Sequence, residues 1–306
     1  MKMREQIKKM VPVAGLVIMF LLFAFTTDGK FLTRVNLQNL IIQSAITMVA
    51  AVGTAFVMAH NNLDFSLGGA CALSCVLSYL IAGQNLPLFF ILCIVFGIVC
   101  GLFSALLHIK GQIPAFMAGM CLMFAGRGVA QSVAANTNML MVSAASLNNV
   151  WFFLIVLVVV VVLGFVIFNY TKIGKYQKLI GTNPKATSLS GINVNAYKTI
   201  AFALSGATIG IAACLTVIRS ASIIGNTGLN LETNVLLALS LGGISITGGS
   251  ATKMRSAIIG TLIFFILNNG LTLWGLNPDY VDIVKAAFFL LTVTISIDRT
   301  QYDMIA

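Results

Sequence analysis

Charged side chains are scarce in this sequence. Asp, Glu, Lys and Arg together make up 8% of its 306 residues, where an ordinary soluble domain carries about 25%. Only eight residues are acidic and only two, His60 and His108, are histidine. There is no G-x-x-x-x-G-K-[ST] loop. The nearest fragment, Gly174-Lys175-Tyr176, lacks the hydroxyl that would hold magnesium, which excludes ATP binding by that route. No His-Glu-x-x-His motif occurs, and the six cysteines, Cys71, Cys75, Cys93, Cys100, Cys121 and Cys214, include no Cys-x-x-Cys pair. All six lie in apolar runs and read as small buried hydrophobes, not as a disulfide frame or a metal site. No metal or other cofactor is expected. An intramembrane enzyme would need a Ser/His pair, paired aspartates or a metal cluster at depth, and none is evident. The formal charge of +10 comes without a basic stripe interleaved with aromatics, so nucleic acid is not the expected partner.

What the sequence has in abundance is apolar surface. Hydrophobic residues occupy 59% of its positions, more than a soluble core of this size can hide, so much of it faces lipid. A spanning helix takes about 20 mainly apolar residues. On that measure spans are expected near 11–27, 37–59, 67–83, 87–109, 114–134, 150–169, 197–218, 231–249, 256–276 and 281–297. The basic N-terminus followed by an apolar run resembles a signal peptide, but the run is long and no small-residue cleavage site follows, so a retained first span is preferred. The expected fold is all-α: a single polytopic membrane domain over 1–306 with about ten transmembrane helices.

An even span count puts both termini on one side. Lys2, Arg4, Lys8, Lys9, Lys110, Lys172, Lys175, Lys178, Lys185, Lys198, Lys253, Arg255 and Arg299 fall on that side, against Lys30, Arg34 and Arg219 on the other. Basic loops stay in the cytoplasm, so both termini are expected there. The same rule makes the longest polar stretch, 171–197, cytoplasmic. Within it, Asn183 suits an N-cap, Pro184 a first helical position and Gly191 a stop. A short helix lying along the cytoplasmic face is the expectation.

Polar groups inside apolar stretches are few, and burying them is costly. Arg127 lies mid-span in FAGRGVAQ and needs a carboxylate, helix carbonyls or a wet cavity. Asp64 sits in the loop-like break NNLDFSLGG, and Glu232 opens the eighth span, where an acid near a helix start is favourable. Asp279, Asp282 and Lys285 cluster at the outer mouth. Gln43, Asn268, Asn269 and Thr272 either bond a neighbouring helix or line a route for a hydroxyl-rich solute. The candidate solute pathway is Asp64, Ser66, Phe116, Arg127, Asn268 and Asn269, and Glu232 is the candidate outward-facing docking residue. The two histidines read as interfacial. Gly97-x-x-x-Gly101 and Gly206-x-x-x-Gly210 permit close helix approach. LDFSLGGA (63–70) and ISITGGSA (244–251) are Ser/Gly-rich breaks at matching places in the two halves, which suggests an internal inverted repeat around a transport pathway.

Four segments resemble the permease subunit of the ribose/simple-sugar branch of bacterial ABC importers. NNLDFSLGG (61–69) is similar to G-G-I-D-L-S-V-G, and IPAFMAGMCLMFAGRGVA (113–130) to P-A-F-I-x-T-L-G-x-x-x-x-x-R-G-L. TKIGKYQKLIGTNPKATSLSGINV (171–194) resembles T-x-x-G-R-x-x-Y-A-x-G-x-N-x-x-A-A-x-x-S-G-I. GLNLETNVLLALSLGGISITGG (228–249) resembles G-x-x-x-E-L-x-A-I-A-A-V-x-L-G-G-x-S-x-x-G-G. The chain departs from the pattern at Asn61 and Asn62, which replace glycines, at Gly119, which replaces a threonine, and at Thr233-Asn234-Val235-Leu236 after the acid.

The resemblance implies a permease in the bacterial inner membrane, paired with a second permease subunit, identical or not. A periplasmic or lipoprotein solute-binding protein would deliver the solute and a separate ABC ATPase subunit would supply energy. It makes Gly181, Asn183, Pro184, Ala186, Ser190 and Gly191 the ATPase-coupling residues. The solute stays open among pentose, hexose, inositol, nucleoside and autoinducer-type sugars. The competing reading is a stand-alone ion-coupled secondary transporter, which would need a proton or sodium site within the membrane. The topology has its own check. A cysteine placed at Lys178 in a cysteine-free chain should be shielded from an impermeant thiol reagent on intact cells and should react once the membrane is opened. Labelling from outside would overturn it.

Overall fold

The computed structural model describes residues 2–137, 139–245 and 248–296. Ile246 and Thr247 of the second Ser/Gly-rich break, and the end of the tenth expected span, lie outside these residues. Among the described residues the regular structure is helical. The α-helices are α1 (Lys2–Thr26), α2 (Arg34–Ala59), α3 (Leu67–Ala82), α4 (Leu86–Ile109), α5 (Ala115–Asn136), α6 (Val150–Tyr170), α7 (Lys172–Thr182), α8 (Pro184–Leu189), α9 (Val194–Ser220), α10 (Leu231–Leu241), α11 (Met254–Leu273) and α12 (Pro278–Ser296). Their starts follow the chain's own capping chemistry. The side chains of Asn85, Asn149, Thr171, Asn183 and Asn193 each accept a backbone N–H in the first turn of the helix they precede.

Each expected span falls on a helix, and α2, α4, α6, α9 and α11 are individually long and apolar enough to cross a bilayer. The eighth is revised. Helix α10 stops at Leu241, a length of about 16 Å at 1.5 Å per residue, roughly half a hydrocarbon core. The stop has a local cause. Gly243 has φ of 84°, and at Gly242 a Cβ would lie 1.9 Å from the Ser256 carbonyl oxygen. The chain therefore leaves the helix as it crosses the start of α11.

Burial runs opposite to hydropathy. The most apolar stretch of α6 has a mean hydropathy of 3.4 and is 17% buried, whereas that of α2 has 2.0 and is 83% buried. In water the order would be reversed. Ile91, Val95, Val99, Leu102 and Leu106 form an exposed stripe along α4 at three- and four-residue spacing, a lipid-facing surface. Helix α2 is enclosed from Ser44 to Ala59 and is the axis of the bundle.

Helices α4 and α9 cross at backbone contact. A Cβ at Gly97 would lie 2.3 Å from the Gly206 carbonyl oxygen, and one at Gly206 would lie 2.2 Å from that of Gly97. The two Gly-x-x-x-Gly motifs thus meet each other. A ring of weak thiol contacts joins α3 to the same crossing. Cys75 donates to the Ala213 carbonyl at 3.6 Å, Cys93 to that of Ser74 at 3.8 Å, and Cys214 to that of Phe90 at 3.9 Å. Five cysteines are buried and unpaired, as small core residues; Cys121 is exposed on α5, which corrects the expectation for that position.

The crossing predicts unequal costs for equal changes. Gly206→Val should lower the detergent melting temperature sharply or abolish folding, because overpacking costs about 1–3 kcal/mol or more where backbones touch. Gly15→Val should do little, since nothing lies within 4 Å of a Cβ there. Equal melting of the two purified variants would refute the crossing.

Candidate functional site

The mid-span arginine finds a carboxylate. Arg127 Nη2 on α5 donates to Glu232 Oε1 at 3.0 Å and Oε2 at 3.2 Å in the first turn of α10, and to the Gly228 carbonyl at 3.3 Å. Both side chains are largely buried, at 12% and 11% exposure. Helix α3 closes over them at Gly68, where a Cβ would lie 2.1 Å from Glu232 Oε2 and 2.4 Å from Arg127 Nη2. One charge pair thereby fastens α3, α5 and α10. Glu232, the expected docking residue, lies against Arg127 in this arrangement. Arg127 Nη1 is buried with no hydrogen-bond partner among the described residues.

The first Ser/Gly-rich break lies between α2 and α3. Asp64 is fully buried there, and its Oδ1 accepts the Ser66 N–H at 2.9 Å. Asp64 Oδ2 and the hydroxyls of Ser66, Ser104 and Ser205 have no partner among the described residues. Gly119 of α5 packs on this turn. A Cβ at Gly119 would lie 2.6 Å from the Phe65 nitrogen and 3.1 Å from Asp64 Oδ1, so the glycine here suits the close approach of α5. His60, expected at an interface, is buried at 2% exposure, with Asn62 Nδ2 2.8 Å from its Nδ1. Burial, and then the charge of Lys198, push its pKa down to about 3. Phe202 lies between the two histidines, with ring centroids 5.9 Å from His60 and 6.0 Å from His108.

A cavity of about 450 Å³ opens between α2, α9, the turns at 222–230, α10, α11 and α12. Gln43, Asn230, Asn234 and Asn268 line it with amides, and Arg219 and Lys285 add two cations. Asn268, expected on a solute route, lies here. Asn269 does not: its amide exchanges reciprocal hydrogen bonds with that of Asn36 at 2.9 and 2.8 Å, tying α11 to α2. Phe116 is half-exposed on α5 and is not part of the cavity wall. Asn230 and Asn234 were not among the expected site residues. Their signal was the run Gly225-Asn226-Thr227-Gly228, a cluster of turn residues between α9 and α10.

On the face expected to be cytoplasmic, α7 is seated on the bundle and α8 projects from it. Gln177 and Ile180 are fully buried, and Gln177 Nε2 donates to the Tyr197 carbonyl at 2.5 Å. The α8 helix has the expected start: Asn183 Oδ1 accepts the Ala186 N–H at 3.1 Å, and Pro184 opens the first turn. Ser190 Oγ donates to the Ala186 carbonyl at 3.0 Å, and Gly191 takes φ of 80° to end it. Thr187 is buried, while Ala186 is exposed and Leu189 is 90% exposed.

A family profile described as branched-chain amino acid transport system / permease component matches residues 36–293. That stretch runs from α2 through most of α12 and contains every polar group described above. The chain belongs to this permease family. It is similar to the ribose import permease of Escherichia coli strain K12, 31% identical over 286 residues and 88% of each chain. The ribose import permease of Bacillus subtilis strain 168 is 29% identical over 297 residues, covering 94% of this chain and 92% of its own. The galactofuranose transporter permease of Escherichia coli strain K12 is 30% identical over 287 residues, covering 89% and 82%. No solved structure matches significantly. As a member of this permease family the chain is a multi-pass membrane transport protein, not an enzyme.

In this permease the Arg127–Glu232 pair carries a specific prediction. Arg127→Leu leaves a buried carboxylate without its partner, a loss of about 3–5 kcal/mol, and should cut the yield of folded protein. Adding Glu232→Leu should recover much of that yield, because removing both charges also removes the desolvation cost. Detergent melting of both variants decides it. Normal melting of Arg127→Leu alone would show that the pair fastens nothing.

Proposed function

We propose that this permease is the membrane subunit of an ATP-driven bacterial importer for a sugar or sugar-like solute. The observation that carries the reading is α8, a capped helix projecting from a seated base in a chain that has no nucleotide-binding motif. Such a helix suits a cleft in a separate ATPase subunit, because a compact element held at both ends passes on a displacement that a loose loop would absorb. The named substrates of the related permeases, ribose and galactofuranose, support a hydroxyl-rich solute, and the amides around the cavity have the donors and acceptors for one.

On this reading the chain crosses the inner membrane ten times, the segment 221–230 and the short α10 together making the eighth crossing, with its two halves related by an inverted repeat about the breaks at 63–70 and 244–251, and both termini cytoplasmic. A second permease subunit, identical or not, completes the pathway, and a solute-binding protein delivers from outside. Asp64, Ser66, Phe116, Arg127 and Asn268 belong to the pathway side of the bundle; Asn269 belongs to its packing. Gly181, Asn183, Pro184, Ala186, Ser190 and Gly191 form the coupling element. Glu232 acts through Arg127 and not on the binding protein.

Co-purification with the ATPase of the same gene cluster, followed by ATP-driven uptake in proteoliposomes with the clustered binding protein, tests the reading. Ala186→Arg should weaken ATPase association or uncouple hydrolysis from uptake by roughly tenfold, as a charge forced into a close helical contact does, with membrane insertion unchanged. Full association and full uptake would remove α8 as the coupling element. Uptake driven by an ion gradient with no ATPase would remove the importer reading.

A further inference from the structure

Three segments far apart in sequence meet beneath the α7–α8 element, and Asn61 stands where they join. Helix α2 ends in a left-handed turn. Asn61 has φ of 61°; its N–H donates to the Met58 carbonyl at 3.1 Å, and the next N–H, of Asn62, donates to that of Val57 at 3.4 Å. This is the double closure that ends many helices, with the left-handed position filled by asparagine in place of glycine. Asparagine tolerates that conformation because its short amide finds a partner nearby. Here the partner is not local. Asn61 Nδ2 donates to the Gly181 carbonyl at the end of α7, at 2.7 Å.

The second Gly-rich break closes on the same point. Gly249 N–H donates to the Met58 carbonyl at 2.7 Å, so one carbonyl of α2 holds both its own helix end and the 248–250 turn. Gly249 has φ of 116° and lies against Asn61 Oδ1, which a Cβ there would approach to 2.8 Å. No side chain fits at the other two contacts. A Cβ at Gly181 would lie 2.1 Å from the Ala59 carbonyl oxygen and 3.2 Å from the Ser250 nitrogen, and one at Gly248 would lie 2.1 Å from the Met58 carbonyl oxygen. Three backbones therefore touch directly, and the Asn61 amide is the side chain set among them. Three residues beyond Asn61 comes Asp64, at the entry to α3; seven residues before Gly249 comes Gly242, at the exit from α10.

We propose that Asn61 is a positioning residue for energy coupling, a pin through which movement of α7 reaches the two breaks that start α3 and end α10. The proposal rests on the coupling role of α7–α8 and adds the route by which it acts. A glycine at this position supplies the left-handed turn alone. Asparagine supplies the turn and a hydrogen bond to the moving element, so α2 and α7 shift together.

The test separates turn from bond. Asn61→Gly keeps the backbone conformation and removes the amide. In the complete complex of permease, ATPase and binding protein, this variant should assemble, bind the ATPase and melt close to the parent. Solute moved per ATP hydrolysed should fall by roughly fivefold, the scale of one hydrogen bond's net effect on an equilibrium. The solute is labelled D-ribose, or whichever member of a pentose and hexose panel the parent complex imports. Gly181→Ala, which forces α7 off α2, should lower the same ratio further. A parental ratio in Asn61→Gly overturns the pin. So does a ratio that falls only in step with lost assembly, which would mark Asn61 as structural. Ala186→Arg run alongside distinguishes the two ideas: if it uncouples while Asn61→Gly does not, the route fails and the coupling element stands. If Ala186→Arg has no effect either, both fall.

Discussion

Lipid tails are as apolar as leucine, so a helix in a bilayer gains little by hiding leucine against another helix. Association must come from contacts that lipid cannot make, above all the direct approach of one backbone to another. That constraint organises this protein. At three helix pairs a glycine sits with a facing carbonyl closer than a Cβ could tolerate: Gly97 and Gly206 at the α4–α9 crossing, Gly242 and Gly260 between α10 and α11, Gly69 and Gly126 between α3 and α5. Much of the aliphatic surface is left to the lipid, and α6, the most apolar of the five helices long and apolar enough to span, is also the least buried.

Close packing of small residues leaves little room for charge, and the largely buried mid-span arginine is fixed by its neighbours. Arg127 and Glu232 answer each other across α5 and α10, with Gly68 of α3 clearing the space they need. The pair costs desolvation, and its return is one of geometry: a short helix such as α10, too short to span, is anchored at its buried start by a charge and not by a membrane interface. The amide pair Asn36–Asn269 does the same for α11 against α2 with no net charge.

Much of this was legible in the sequence, because composition and apolar run length act locally. The positions of the helices, the Asn183–Gly191 caps and the need of Arg127 for a partner all follow from short windows. What was not legible depends on tertiary contact. The length of α10 is set by Ser256 on another helix, so an apolar window running to 249 overestimates it. Asn268 and Asn269 are adjacent and chemically alike, yet one faces a cavity and the other a neighbour, a distinction of about 100° of helical turn that only the position of α2 decides. His60 read as interfacial because it ends an apolar run, but Asn62 and the α9 residues Phe202 and Lys198 lie against it and it is buried.

A departure from a family pattern takes its meaning from the contacts around it. Asn61 replaces a glycine of the motif that the sequence resembles, and in isolation that substitution suggests a weakened motif. The left-handed φ and the bond to Gly181 give it the opposite sense. Glycine at the end of a helix provides conformation alone, whereas asparagine provides nearly the same conformation and a donor. Gly119, in the place of a threonine, runs the other way, giving up a hydroxyl where α5 lies against the Asp64 turn. Both changes fall on the same break, one tightening its link to the cytoplasmic element and one letting α5 lie closer to its buried acid. Both changes alter how the α2–α3 break is held, one through a hydrogen bond to α7 and one through the approach of α5.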